Sequence, residues 1–397
     1  MALRALRHRN YRLFFFGQLI SLIGTWMQMV AQPWLVYRLT GSSLLLGTVG
    51  FASQIPVFLL ATVGGSVADR FNRHKVVIAT QTTSMVLAFI LATLTLTHTI
   101  RVWHIVVLSA LLGIVNAFDM PGRQAFIVML VDKEDFMNAI ALNSSIFNGA
   151  RVLGPAVAGV LIAGIGEGWC FFANAVSYIA VIIGLLMMKV KHVHVEERKE
   201  PGVRHLLEGF AYVRNMRSIR AVLLLLGLVS IVGMPYSVLM PIFADRILHG
   251  GARGLGILMG ATGIGALAGA MSLAVRSGTK GLWKVVGYAS AGFGAALIIF
   301  SASRSFWLSA LFLIPVGYCF MVQMAASSTL IQTIVPDHLR GRVMAVHVMM
   351  FMGMAPFGSF LAGAIAAKVG APVTIAAGAS ICILGCAIFL VRLPKGL

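Results

Sequence analysis

Twelve apolar runs, most of them 20 or more residues long, follow one another along this chain, and they constrain its fold more than any other feature. They lie at about 11–37, 43–67, 75–97, 102–121, 138–165, 169–188, 220–244, 254–275, 282–301, 305–333, 342–367 and 371–391. About 20 apolar residues is the length an α-helix needs to cross the hydrocarbon of a bilayer. The runs are too long for barrel strands and do not alternate apolar with polar. Only 11% of the 397 residues are charged, against about 25% in a soluble domain, so no polar shell is available to cover a soluble core. The expected fold is an all-α polytopic membrane protein with 12 transmembrane helices. The start, MALRALRHRNYR, is basic like the beginning of a signal peptide. The apolar run behind it is too long and has no small-residue cleavage site, so it reads as the first membrane helix.

The net charge is +19, and its placement gives it meaning. With the N-terminus in the cytoplasm, 24 of the 31 basic residues fall in inner segments, 6 in outer loops, and one, Arg151, inside an apolar run. That split follows the positive-inside rule with both termini cytoplasmic. It points to a multi-pass membrane protein. The basic charge is then a topology signal and a contact for anionic lipid, with no nucleic-acid partner expected. Cys170, Cys319, Cys382 and Cys386 lack flanking metal ligands and read as packing residues, so no metal is expected.

The longest polar stretch, about residues 189–219, separates six runs from six. The expected organisation is a six-helix bundle over 1–190, a cytoplasmic linker with an amphipathic helix over 191–218, and a second six-helix bundle over 219–397. His192 and His194 read as part of a solvated linker. Sliding residues 113–166 forward by 204 brings five of the seven glycines in that window onto glycines: Gly113 on Gly317, Gly149 on Gly353, Gly154 on Gly358, Gly159 on Gly363 and Gly166 on Gly370. The bundles are therefore expected to be pseudo-symmetric repeats, an architecture in which a transported substrate sits between the halves.

Arg151 stands out against this repeat. A guanidinium in hydrocarbon is costly, and its repeat counterpart is Ala355, so the shared fold does not require it. Ser144, Asn148, Arg151 and Pro155 share one helical face. On the first run, Gln18, Ser21, Thr25, Gln28 and Gln32 form a polar stripe at helical spacing, expected to face a watery cavity. Asn116 and Gln323 add isolated polar groups in their own runs. His347 lies about five residues into its run. These residues, Arg151, Asn148, Ser144, Gln28, Gln32, Thr25, Asn116 and Gln323, are the candidate substrate-binding set. All 12 Asp and Glu lie in loops or near run ends, so no carboxylate stands at mid-depth. Arg151 is then satisfied by water, backbone carbonyls, the glutamine stripe or an anionic substrate; the competing reading is a structural arginine tying carbonyls. No Ser-His-Asp, HExxH or paired-carboxylate arrangement appears in the runs, and GATGIGALAG sits inside a run and follows no strand. An enzyme is not expected.

Two motifs carry a resemblance. GGSVADRFNRHK, with Gly65, Asp69, Arg70, Arg73 and Lys75 at fixed spacing, resembles the loop signature of the major facilitator superfamily. Asn72 replaces the usual glycine, as a residue that tolerates a left-handed turn. ARVLGPAVAG resembles that family's antiporter signature at Gly154, Pro155 and Gly159, with Ala150 and Ala158 in place of glycines. Together with DMPGRQAFIVMLV and the N-terminal 40 or so residues, the chain is similar to the enterobactin-exporter branch of bacterial drug and siderophore effluxers. The resemblance implies two six-helix bundles working by alternating access. It implies an inner gate in which Asp69 meets the start of the eleventh helix and Arg73 pairs with Asp119; a local pair of Asp119 with Arg123 at i+4 is the other reading. It implies a proton gradient as energy source, with no cofactor, and export of small amphipathic or anionic molecules, siderophores or drugs, by a protein read as a monomer. Import, or lipid or lysolipid transport by the same fold, is the alternative.

Overall fold

The computed structural model describes residues 3–189, 203–276, 278 and 281–391; the side chains of Asp69 and of residues 203–207 lie outside it. Among the described residues there is no strand, and 12 helical segments are long and apolar enough to cross a membrane. The first six are α1 (Arg9–Thr40), α2 (Ser43–Arg70), α3 (Arg73–Leu96), α4 (Val102–Ile127), α5 (Phe136–Ile165) and α6 (Glu167–Leu186). A short helix, α7 (Val203–Asn215), precedes the second set. The seventh span is composite: α8 (Arg217–Leu228), a π-helical turn (Val229–Gly233), α9 (Tyr236–Ile242) and a second π turn (Phe243–Ile247). Then come α10 (Gly251–Val275), α11 (Leu282–Ala302) and α12 (Phe306–Ile334). The eleventh span is broken into α13 (Asp337–Met352) and α14 (Ala355–Val369), and α15 (Ala371–Val391) closes the described chain. His192 and His194 lie outside the described residues.

The helices outrun the apolar runs that predict them. The seventh run begins at 220 and its helix at Arg217; the eleventh begins at 342 and its helix at Asp337. A helix satisfies its own amides and therefore continues through a polar end. Pro33, Pro56, Pro121, Pro155 and Pro315 all sit inside helices, which membrane helices tolerate because neighbours re-satisfy the freed carbonyls.

By contact the chain divides into Met1–Leu39 with Ala52–Glu200, and Thr40–Phe51 with Pro201–Leu397. The expected division put all of 1–190 in one bundle. The first turns of α2 instead belong to the second unit. A Cβ on Gly47 would lie 2.5 Å from the Ser359 carbonyl oxygen and 3.0 Å from Gly363 Cα, and Phe51 packs edge-on to Phe357. The apolar pattern could not show this, because α2 runs unbroken through the change.

At two of the five matched glycine pairs the repeat is also a repeat of contacts. A Cβ on Gly113 of α4 would meet the Ser53 carbonyl of α2 at 2.5 Å, and one on Gly317 of α12 would run into the Thr262 carbonyl of α10. Gly154 lets α5 close on Ile23 and Trp26 of α1; Gly358 lets α14 close on Ile231 of the seventh span. Gly166 and Gly370 end matching helices with φ of 90° and 86°, where a side chain would strain the backbone. Ala150, Gly154 and Ala158 are all buried, so the small-residue stripe does pack.

Asn72 is a correction. Its φ is −60°, so it makes no left-handed turn; its side chain instead accepts from the Lys75 N–H and caps α3. The neighbouring motif glycine also differs from expectation. A Cβ on Gly65 meets nothing within 4 Å, whereas one on Gly64 would collide with the Ala117 carbonyl. Gly64→Ala should therefore destabilise the first unit by about 1–3 kcal/mol, as overpacking does, and Gly65→Ala by under about 0.5 kcal/mol. Thermal melting of the two purified variants checks this; equal melting would contradict it.

Candidate functional site

The first unit carries a ladder of polar contacts along α1. Gln18 accepts from Arg123 of α4 at 3.0 Å, Gln28 accepts from Asn174 of α6 at 2.6 Å, and Gln32 donates to Ser109 of α4 at 2.7 Å. Thr25 donates back to the Ser21 carbonyl. Gln18, Ser21 and Gln28 are buried; Thr25 and Gln32 are half-buried. The stripe was expected to face a watery cavity. For Gln18, Ser21 and Gln28 this is corrected: these side chains are turned into the helix bundle. A polar group in an apolar helix must find a partner, and a neighbouring helix serves as well as water.

The base of this ladder is an ion pair. Asp119 is buried; its carboxylate accepts from Thr80 and Gln81 of α3, both at 2.8 Å, and lies 3.4 Å from Arg123 Nε. Arg123 thus bridges Asp119 to Gln18. The local i+4 pair, one of the two readings of Asp119, is formed. Arg73 Nε donates to the Ala68 carbonyl at 3.3 Å, across the turn between α2 and α3. Arg70 is exposed and Lys75 is exposed, while the Asp69 side chain lies outside the described residues.

Arg151 is half-buried on α5, with its guanidinium 5.5 Å from the centroid of the Trp26 ring. Trp26 in turn meets Phe147 edge-on at 5.6 Å. A cation over an indole face is the strongest of the side-chain cation–π pairs, worth about 0.5–2 kcal/mol. Asn148 is buried and donates to the Ser144 carbonyl; Ser144 is exposed and Asn116 half-buried. Pro155 and Gly159 are buried beside Gly154. At the other end of α1, Arg38 pairs with the buried Glu167 in the first turn of α6, where the helix dipole favours an acid.

In the second unit the polar residues are sparser. Gln323 and Ser327 on α12 are fully buried, His347 on α13 is 3% exposed, and their side-chain polar atoms make no hydrogen bond. His347 is ten residues past Asp337, where α13 begins, twice as deep as the apolar run implied. The two irregular helices are tied to each other: Ser230 in the first π turn donates to the Phe351 carbonyl, one residue before the end of α13. Ala355, the counterpart of Arg151, is the first residue of α14 after the break. Position 151 lies in continuous helix and position 355 at a discontinuity, so the halves diverge there in backbone as well as in charge. Among the described residues no three His, Cys, Asp or Glu side chains come together as a metal site.

The sequence profile of the transmembrane secretion effector family matches residues 1–396. The chain belongs to that family of major facilitator transporters. It is 27% identical over 353 residues to the staphyloferrin A transporter of Staphylococcus aureus, covering 88% of this chain and 87% of that one. It is 26% identical over 395 residues to the multidrug efflux pump Tap of Mycolicibacterium fortuitum, covering 96% of each. Similarity to macrolide efflux protein A of Streptococcus pyogenes is 24% identity over 62% of each chain. The fold matches solved structures of a POT family transporter (TM-score 0.77, 11% identity, 96% of each chain) and of the nucleoside transporter NupG (TM-score 0.72, 14% identity, 97% of this chain and 100% of that one). The protein is a multi-pass membrane transporter of the major facilitator type, not an enzyme.

The candidate set missed Trp26, Thr80, Gln81 and Asn174. Gln81 and Asn174 are polar residues inside long apolar runs and could have been found by that criterion. Trp26 reads as core in any sequence, and only the fold puts its face against Arg151. Removing one partner of a buried ion pair leaves the other uncompensated, at about 3–5 kcal/mol. Asp119→Ala should cost less, about 1–3 kcal/mol, because Arg123 is only partly buried and keeps its bond to Gln18. The double variant Asp119→Ala/Arg123→Ala should lose less than the two single losses combined. Melting of the three purified variants measures it; additive losses would mean the pair is not coupled.

Proposed function

We propose that this transporter is an exporter of small amphipathic or anionic molecules, working by alternating access in a bacterial inner membrane with both termini in the cytoplasm. The observation that carries the reading is Arg151: a fixed cation in the middle of α5, laid on the Trp26 face, at a position the second repeat gives to alanine. A guanidinium offers five donors and stays protonated, so it suits holding an anion better than carrying a proton. The indole beside it adds a flat apolar surface for the rest of an amphipathic molecule. Relatives named for siderophore transport and for drug or macrolide efflux agree with that substrate class. Thr25, Gln32, Asn116 and Ser144, all at least partly exposed, are the polar groups on α1, α4 and α5 proposed to line the same path. The excess of basic residues on one set of loops supports the orientation. The proton gradient is the proposed energy source and anionic lipid the proposed surroundings of the basic loops. Asp69 and Arg73 are proposed to latch the inner gate, with the Asp119–Arg123 pair as the fixed post behind it. The protein is proposed to act as a monomer.

The test is an efflux assay in a strain lacking its own exporters, run with a catecholate siderophore, a carboxylate siderophore, neutral macrolides and lipophilic cations. Efflux of at least one class above the empty-vector control is expected, and uptake in place of efflux would overturn the direction. A hydrogen bond to a charged group is worth about 1.5–3 kcal/mol, so Arg151→Gln should weaken apparent affinity for anionic substrates about tenfold or more. Neutral and cationic substrates should change little, expression should stay normal, and the stability read by melting should fall by no more than about 0.5–2 kcal/mol, the worth of the lost Trp26 contact. An equal loss for every substrate would assign Arg151 a structural role.

A further inference from the structure

The N-terminal segment of the first unit is pinned to the start of α5 by four contacts. The Ala5 amide donates to the Asn138 side chain at 2.9 Å, and the Tyr11 hydroxyl donates to the Ala139 carbonyl at 2.8 Å. Ala5 and Tyr11 also share a buried cluster with Ala139 of α5 and Phe126 of α4. The fourth contact is His8. Its ring nitrogen Nε2 lies 2.9 Å from Asp135 Oδ2, and Nδ1 lies 4.0 Å from Asp132 Oδ2. Asp135 is the residue immediately before α5.

The first three contacts are the same at any pH near neutral. The fourth is not, because both ring nitrogens of His8 face a carboxylate. A neutral imidazole has one N–H and one lone pair, so it donates to one acid and turns a lone pair to the other. An imidazolium has an N–H on each nitrogen and suits both. The geometry therefore matches the charged ring, and histidine is the side chain whose charge changes near neutral pH. The side chains of His8 and Asp135 are 26% and 20% exposed, so water reaches the ring and exchanges its proton.

We propose that His8, Asp135 and Asp132 form a pH-sensitive clasp, which holds the N-terminal segment on the start of α5 when the ring is protonated and loosens when it is not. The chemistry is a reversible protonation. A hydronium ion gives its proton to the ring nitrogen that lacks one and leaves as water; the same N–H bond breaks when water takes the proton back. The sign follows from the partners: both are acids, so the charged ring is held by two opposite charges. The extra hold is present on the acid side of neutral and is lost as pH rises through the range in which the ring loses its proton. The consequence falls on α5, the helix that carries Arg151. It does not depend on what the transporter carries or in which direction.

The other ionisable groups of the packed segments do not replace this pair. Arg4 and Arg7 flank His8 in a 3-10 turn, Arg9 and Arg12 follow on α1, Lys133 and Glu134 share a second 3-10 turn with Asp135, and Lys189 follows α6. All seven are exposed, so solvent and salt screen them, whereas the two acids stand within 4.0 Å of the ring. On α3, His74 is bonded to the Leu185 carbonyl at 2.8 Å and stacked on Phe126. On α4, Arg123 is held by Asp119 and Gln18. α5 has no charged residue before Arg151.

The test is hydrogen–deuterium exchange of the full-length protein in lipid nanodiscs at about pH 6 and about pH 8.5, either side of the histidine range, with labelling times scaled for the chemical exchange rate. Amides of residues 5–12 and 136–142 should exchange about threefold faster at the higher pH, the scale of a partly exposed ion pair, while those of α10 should not change. His8→Gln keeps a hydrogen bond to Asp135 but has no charge at either pH, and should abolish the difference. Asp135→Asn should reduce it. No pH difference in the unaltered protein overturns the proposal. So does an equal difference in His8→Gln, which would assign the response to His74 or another group. Should His8→Gln fail to fold, a difference left unchanged by Asp135→Asn overturns it instead.

Discussion

Hydrocarbon offers a peptide group no hydrogen-bond partner, and the rest of this molecule is organised around that. Each span must be helical, because only a helix closes its own amides within one segment. Once helical, a span has no hydrophobic drive to leave lipid for another span, since both are equally apolar. What holds the bundle is close contact and polar bonding between helices. The structure shows both: carbonyls of one helix seated on glycines of the next, at Gly113, Gly317, Gly154 and Gly358, and side-chain bonds from α1 to α4 and α6.

The two units solve the same packing problem and then differ in what they do with it. The first keeps its first and fifth helices continuous and carries polar groups on them and on α4: the α1 ladder, Arg151 on Trp26, and the Asp119–Arg123 pair of α4. The second keeps the glycine contacts but breaks the equivalent helices, with π turns in the seventh span and a gap at Gly353–Met354 in the eleventh. π turns and discontinuous helices recur at the moving or binding parts of membrane transporters. The Ser230–Phe351 bond joins the two breaks, so they form one irregular region rather than two isolated defects.

Arg151 keeps its charge at any physiological pH and can anchor an anion. The shared fold permits a charge there in one repeat and an alanine in the other, because the position is not one of the glycines on which the packing depends.

Number of spans, helical class, two-fold repeat and family were all legible in the amino-acid order, because each depends on a local or periodic property: run length, spacing of small residues, charge of loops. The candidate site was legible only in part. That Arg151, Asn148, Gln28 and Asp119 are polar groups in apolar helices is a sequence fact. That Gln28 meets Asn174, that Asp119 gathers Thr80, Gln81 and Arg123, and that Trp26 covers Arg151 were decided by tertiary structure. A polar side chain in a membrane helix can be satisfied by water or by a neighbour, and the periodicity is the same either way. Gly64 rather than Gly65 as the contact glycine, and the start of α2 packing with the second unit, were settled the same way: both depend on which backbone lies opposite, and a one-dimensional pattern carries no record of that.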